Sequence, residues 1–111
     1  MGGKVIEVES KAQWDEIIAL AKKDGKVVLI DFSATWCGPC KMISPVFEDM
    51  STKYENVIFL KVDVDAVDEV ATMCSISAMP TFQVFINGEK KDELVGAAKD
   101  KLINLCEKYK T

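Results

Sequence analysis

Apolar residues in this chain fall into two spacings, and the spacing switches at regular intervals along it. Residues 27–32 read VVLIDF, an almost unbroken apolar run that contains one acid. A strand covered on both faces has that signature, because neither side needs to meet water. Residues 57–64, VIFLKVDV, repeat it. Between such runs the period becomes helical. Trp14, Ile17, Ile18 and Ala21 fall at i, i+3, i+4 and i+7, with Ser10 placed as an N-cap and Asp24-Gly25 as the stop. Met42, Ile43, Val46, Phe47 and Met50 mark a second helix, in which Pro45 removes a backbone donor and predicts a kink. Val67, Val70, Ala71 and Cys74 mark a short third helix. Leu102, Ile103, Leu105, Cys106 and Tyr109 mark a last one over residues 99–110. Residues 4–8 predict a short strand, and residues 81–86 and 91–95 flank Asn87-Gly88, a hairpin signal.

The predicted order is β-α-β-α-β-α-β-β-α, with no linker, repeat or low-complexity tract. Such alternation predicts one α/β domain over residues 1–111, a central mixed sheet of about five strands flanked by four helices. The sheet is expected to be parallel at first and to close with an antiparallel hairpin.

Composition narrows the chemistry chiefly by what is missing. At 49% hydrophobic and 29% charged residues, the chain has the balance of a soluble globular protein. Its longest unbroken apolar run, residues 17–21, is far short of a membrane span. The opening MGGKVIEVES has no apolar leader core, and Ile6 stands where a myristoylation motif at Gly2 needs Ser or Thr. A cytoplasmic, unanchored protein is expected. There is no histidine, and all 14 basic residues are lysine. Without arginine forks, and with a net charge of −4, nucleic acid is not an expected partner. Neither GxGxxG nor GxxxxGK[ST] occurs, so no bound dinucleotide or nucleoside triphosphate is expected.

Cysteine remains as the reactive group: Cys37, Cys40, Cys74 and Cys106. Two structural disulfides suit small secreted domains without a core, which this chain is not; thiols that cycle are favoured over thiols that staple. The stretch DFSATWCGPCK, residues 31–41, places Cys37 at the head of a helix following the VVLIDF strand. Residues i and i+3 share a face, so the two sulfurs can bond with little backbone movement. The helix N-terminus favours thiolate at Cys37. Pro39 suits a first turn, where its missing N–H costs nothing, and Gly38 carries no side chain to block an incoming disulfide. The arrangement suits one thiol that attacks and another that resolves. The competing readings are a structural disulfide or half a zinc site; zinc wants four ligands, and neither Cys74 nor Cys106 sits in a second CxxC. No metal is expected.

Asp31 interrupts a buried run, where an ionised carboxylate is costly, so its pKa should rise toward neutrality. The plainer alternative is a satisfied strand-end carboxylate, or one paired with Lys61. Pro80 stands just before a strand, where an ordinary loop proline also fits. Cys74 and Cys106 read as small buried hydrophobes. Asp63, Asp65, Asp68 and Glu69 read as solvated charge and helix-start residues.

The motif WCGPCK, preceded by Asp31 and followed by AMPTF at residues 78–82, resembles the thioredoxin family over essentially the whole chain. That resemblance implies the thioredoxin fold and a protein-disulfide reductase cycling between a Cys37/Cys40 dithiol and disulfide. It implies that Cys37 is the nucleophile, Cys40 the resolving nucleophile and Asp31 the proton acceptor for Cys40. Gly38-Pro39 matches reducing members. Met79-Pro80 is expected to be cis and, with Trp36, Gly96 and Ala97, to line a substrate-docking surface; packing or turn roles are the alternative for these residues. The redox centre is the Cys37–Cys40 disulfide, with no bound cofactor. Expected partners are disulfide-containing clients such as peroxiredoxins, and a thioredoxin reductase; the chain is expected to be a monomer. A thioredoxin-fold scaffold without turnover is the alternative function, disfavoured because both cysteines, Asp31 and Pro80 are present.

Overall fold

The computed structural model describes residues 4–110, so Gly2 lies outside the described residues. Its elements follow the predicted order: β1 (Ile6–Val8), α1 (Lys11–Asp24), β2 (Val27–Ser33), α2 (Gly38–Lys53), β3 (Val57–Asp63), α3 (Asp68–Met73), β4 (Thr81–Ile86), β5 (Glu89–Val95) and α4 (Lys99–Tyr109). The five strands form one sheet in the order β1-β3-β2-β4-β5. β1, β2 and β3 are parallel, and β4 and β5 run antiparallel to form the far edge.

β2 lies at the centre, and all seven of its residues are buried, which is why its sequence is apolar but for Asp31 and Ser33. Its side chains alternate between two cores. Val27 and Leu29 pack with Phe47, Phe59, Phe82 and Leu102 on the face covered by α2 and α4. Val28, Ile30 and Phe32 pack with Trp14, Leu60, Val62 and Val70 on the face covered by α1 and α3. Each such side chain stabilises the fold by roughly 1.5–3 kcal/mol on leaving water. By the same two-residue period, Asp31 belongs to the α2 face.

Local signals explain the joints. Ser10 Oγ accepts a hydrogen bond from Gln13 N, capping α1. Asn87 and Gly88, at φ +56° and +77°, form the tight hairpin turn in which both central residues need positive φ. β1 is shorter than predicted, three residues instead of five. β5 begins at Glu89, ahead of the predicted position 91, because an edge strand with one solvated face tolerates the exposed Glu89, Lys90 and Lys91. α2 continues through Pro45. Among the described residues no helix is long and apolar enough to cross a membrane.

Candidate active site

β2 delivers the chain to the site and α2 carries it away. Ser33 ends the strand, three residues cross the end of the sheet, and Cys37 becomes the N-cap of α2 with extended backbone (φ −88°, ψ 109°). Its sulfur takes the place of a capping oxygen: Cys37 Sγ accepts a hydrogen bond from Cys40 N at 3.2 Å. Pro39 lies in the first turn, where its lack of an N–H leaves no bond unmade. That turn contains no acidic residue to oppose negative charge on the sulfur. Helix dipole and amide donor therefore both favour a thiolate at Cys37.

The two cysteines are joined in a disulfide, with Cα atoms 5.3 Å apart, so the structure shows the oxidised form. Cys37 and Cys40 are 5% and 4% exposed, so burial does not distinguish the two sulfurs here; the cap position of Cys37 does. Gly38 and Pro39 above them are exposed, and a β-carbon at Gly38 would point into open space.

Asp31 is 1% exposed, and among the described residues neither of its carboxylate oxygens has a hydrogen-bond partner. Burial pushes its pKa up to about 7, against the opposing pull of the Lys61 ammonium. Lys61 is its register partner on β3. The strand-end and ion-pair readings of Asp31 therefore give way to a carboxyl left unpaired and poised near neutrality. A cleft of about 510 Å³ opens beside this end of the sheet, lined by Ser33, Cys40, Lys41, Pro45, Lys61 and Asp63 among others.

The Met79–Pro80 peptide bond is cis, as the resemblance implied. Met79 packs against Ala34, Cys37 and Cys40, and Pro80 is buried. Gly96 N donates to Pro80 O at 2.9 Å, tying the β5–α4 turn to this segment. Gly96 sits at φ +109°, a region that disfavours any side chain, so it serves as a turn glycine as well as a neighbour of the site. Ala97 follows it on the surface. Trp36 is 66% exposed, and its indole Nε1 donates to Asp65 Oδ2 at 2.8 Å.

Asp65 is exposed, in keeping with its reading as solvated charge, and also holds this tether. Asp63 is also engaged: its Oδ1 accepts from the backbone N–H groups of Asp65 and Ala66. Asp68 and Glu69 do stand in the first turn of α3. Sequence reasoning also missed Val95, which is 57% exposed beside Gly96 and extends the apolar surface there. The apolar Leu94-Val95 pair closing an otherwise charged strand was the available signal. Cys106 is buried and Cys74 partly so; burial pushes their thiols up to about 12 and about 11, away from reactivity.

This disulfide at the head of a helix, with Met79 of the cis Met79–Pro80 bond packed against it and a buried carboxyl in the strand that leads into it, defines a dithiol oxidoreductase of the thioredoxin fold. The thioredoxin family model matches residues 5–108, and the chain belongs to that family. It is 56% identical over 110 residues to "Thioredoxin H-type" of Chlamydomonas reinhardtii, covering 98% of this chain and 97% of that protein. Human thioredoxin is 54% identical over 98 residues, covering 88% and 91% of the two chains. The crystal structure of thioredoxin NaTrxh from Nicotiana alata superposes with a TM-score of 0.94 at 40% identity, covering 100% of this chain and 96% of that one. The chain is thus a protein-disulfide oxidoreductase whose redox centre is its own Cys37–Cys40 pair. Members of the family act on disulfide-containing proteins and are recharged by a thioredoxin reductase.

Proposed function

We propose that Cys37, Cys40 and Asp31 divide the reduction of a client disulfide among them. The Cys37 thiolate attacks one client sulfur, forming a mixed disulfide and expelling the other sulfur as a thiolate. Cys40 then gives its proton to the Asp31 carboxylate and attacks Cys37 Sγ. The mixed disulfide breaks, the second client thiolate leaves, and the Cys37–Cys40 disulfide forms. Two electrons have passed to the client, and the reductase restores them. One observation carries this division of labour: Cys37 Sγ is the capping acceptor of α2, receiving the Cys40 N–H.

Client docking is assigned to Trp36, Met79, Pro80, Gly96 and Ala97, with Gly38-Pro39 leaving the approach open. Support comes from the packing of Met79 on the cysteines and from the Gly96–Pro80 hydrogen bond. The client chain would add to the Met79 backbone as an extended strand. We assign the protein to the cytoplasm as a single-domain monomer over residues 1–111, with peroxiredoxins among its clients. Two cysteines kept as free thiols support a reducing compartment.

The test is insulin reduction driven by dithiothreitol, comparing wild type with Cys37→Ser, Cys40→Ser and Asp31→Asn. Turnover should vanish in the first, fall sharply in the second, which lacks the resolving thiol and leaves release to dithiothreitol, and slow at the release step in the third. Turnover persisting in Cys37→Ser would overturn the assignment. A separate trapping of cell extract on Cys40→Ser without dithiothreitol, with the adducts identified by mass spectrometry, decides whether peroxiredoxins are clients.

A further inference from the structure

Asp31 does not stand alone across the sheet. Glu7 on β1 is the register partner of Lys61 on β3, and Lys61 is the register partner of Asp31 on β2. Neighbouring strands lie about 4.8 Å apart, so the backbone positions of the three residues form one row, acid–lysine–acid, about 10 Å from end to end. Glu7 and Lys61 both line the cleft that reaches Cys40; Glu7 is exposed and Lys61 half-buried. Lys61 therefore stands between two carboxylates, one in water and one in the core.

The other charged and titratable groups around this row are few. β3 adds Asp63, two residues along, whose Oδ1 is already engaged by the amides of Asp65 and Ala66. α2 brings Cys37, Cys40 and Lys41, the last two lining the same cleft. From β4 the register partner of Asp31 is Phe82, which carries no charge. Among these groups, Lys61 is the cation whose charge pulls on the Asp31 carboxyl.

We propose that Glu7 is a positioning residue for the resolving step: it draws the Lys61 ammonium toward the outer end of the row, and so keeps Asp31 from being held permanently as a carboxylate. The inference rests on the assignment of Asp31 as proton acceptor for Cys40. An acceptor must take the proton when Cys40 attacks and return it when the disulfide is reduced again, and one locked to a lysine does neither well. In the exchange Glu7 gains and loses nothing. It acts only through where Lys61 sits.

The experiment follows the Asp31 carboxyl carbon by NMR through a pH titration of the reduced protein. Wild type, Glu7→Gln, Lys61→Gln and the double variant are compared. Glu7 is exposed and glutamine keeps its length, and matching thermal melts establish that the four share one fold. Glu7→Gln should lower the Asp31 midpoint by a few tenths of a pH unit, the scale of a partly exposed charge pair. In the Lys61→Gln background the same change should do almost nothing. An unmoved midpoint in the single variant would overturn the proposal. So would an equal fall in both backgrounds, since Glu7 would then act on Asp31 directly. Because the midpoint is read without turnover, it stands apart from the Asp31→Asn activity assay: an active Asp31→Asn variant removes the role of Asp31, whereas an unmoved midpoint removes that of Glu7.

Discussion

Replacing Asp31 by asparagine should make the oxidised protein more stable at alkaline pH. Asp31 is 1% exposed with no hydrogen-bond partner among the described residues, and its pKa of about 7 stands well above the ordinary 3.8. The sign follows from proton counting. Between those two values the unfolded chain has lost the proton and the folded chain still holds it, so stability falls as pH rises. The loss begins above the unfolded pKa and is complete once pH passes the folded one. A separation of about three pH units at 1.36 kcal/mol each amounts to on the order of 4 kcal/mol. That is a large part of the 5–15 kcal/mol typical of a domain. Asparagine keeps the shape but never ionises, although it buries an amide whose unmet hydrogen bonds cost about 1–3 kcal/mol at every pH. The informative quantity is therefore the stability difference, variant minus wild type, measured by urea unfolding at about pH 4.5, 6 and 8. Subtraction cancels the other carboxylates. The difference should grow by several kcal/mol between the first and last pH and level off above about 7. A difference independent of pH would refute the buried, raised carboxyl and the proton-acceptor role that depends on it.

Three further outcomes are expected. Asp65→Ala removes the acceptor of the Trp36 indole N–H; a net loss of about 0.5–1.5 kcal/mol predicts a two- to tenfold rise in KM for a protein disulfide with kcat little changed. An unchanged KM would detach Trp36 from docking. In the reduced protein at neutral pH, iodoacetamide should label Cys37 long before Cys74 or Cys106, whose raised pKa values of about 11 and about 12 leave on the order of one thiol in ten thousand or fewer ionised. Peptide mass mapping decides it, and early labelling of Cys106 would contradict its burial. Leu102→Ala empties a fully buried site beneath α4 and should cost about 2–5 kcal/mol in denaturant unfolding; a loss below about 1 kcal/mol would mean that α4 collapses into the space.

Much of this molecule is legible along the chain because its signals are local. The apolar run of β2, the stripes of α1 and α2, the Asn87-Gly88 turn and the Cys37-Gly38-Pro39-Cys40 motif each need only neighbours a few residues apart to be read. Asp31 could be singled out because an acid in an otherwise apolar strand breaks a local pattern. The weaker elements show where such reading fails. β5 presents a solvated face, so Glu89 and Lys90 hide the strand's start, and β1 is held mainly by pairing with β3.

Composition and periodicity by themselves determined the element order and the two-sided burial of the central strand; the Cys-Gly-Pro-Cys motif, through its resemblance to the thioredoxin family, added the redox chemistry of the paired sulfurs. Only the folded sheet decided that β3 lies between β1 and β2, which sets Lys61 between Glu7 and Asp31. Only tertiary packing brought Asp65 to Trp36 across 29 residues of chain and laid Met79 against the disulfide. The physical reason is range. Helix and turn propensities act over a few residues, whereas strand order and cross-sheet register depend on which apolar faces meet when the whole chain closes on its core.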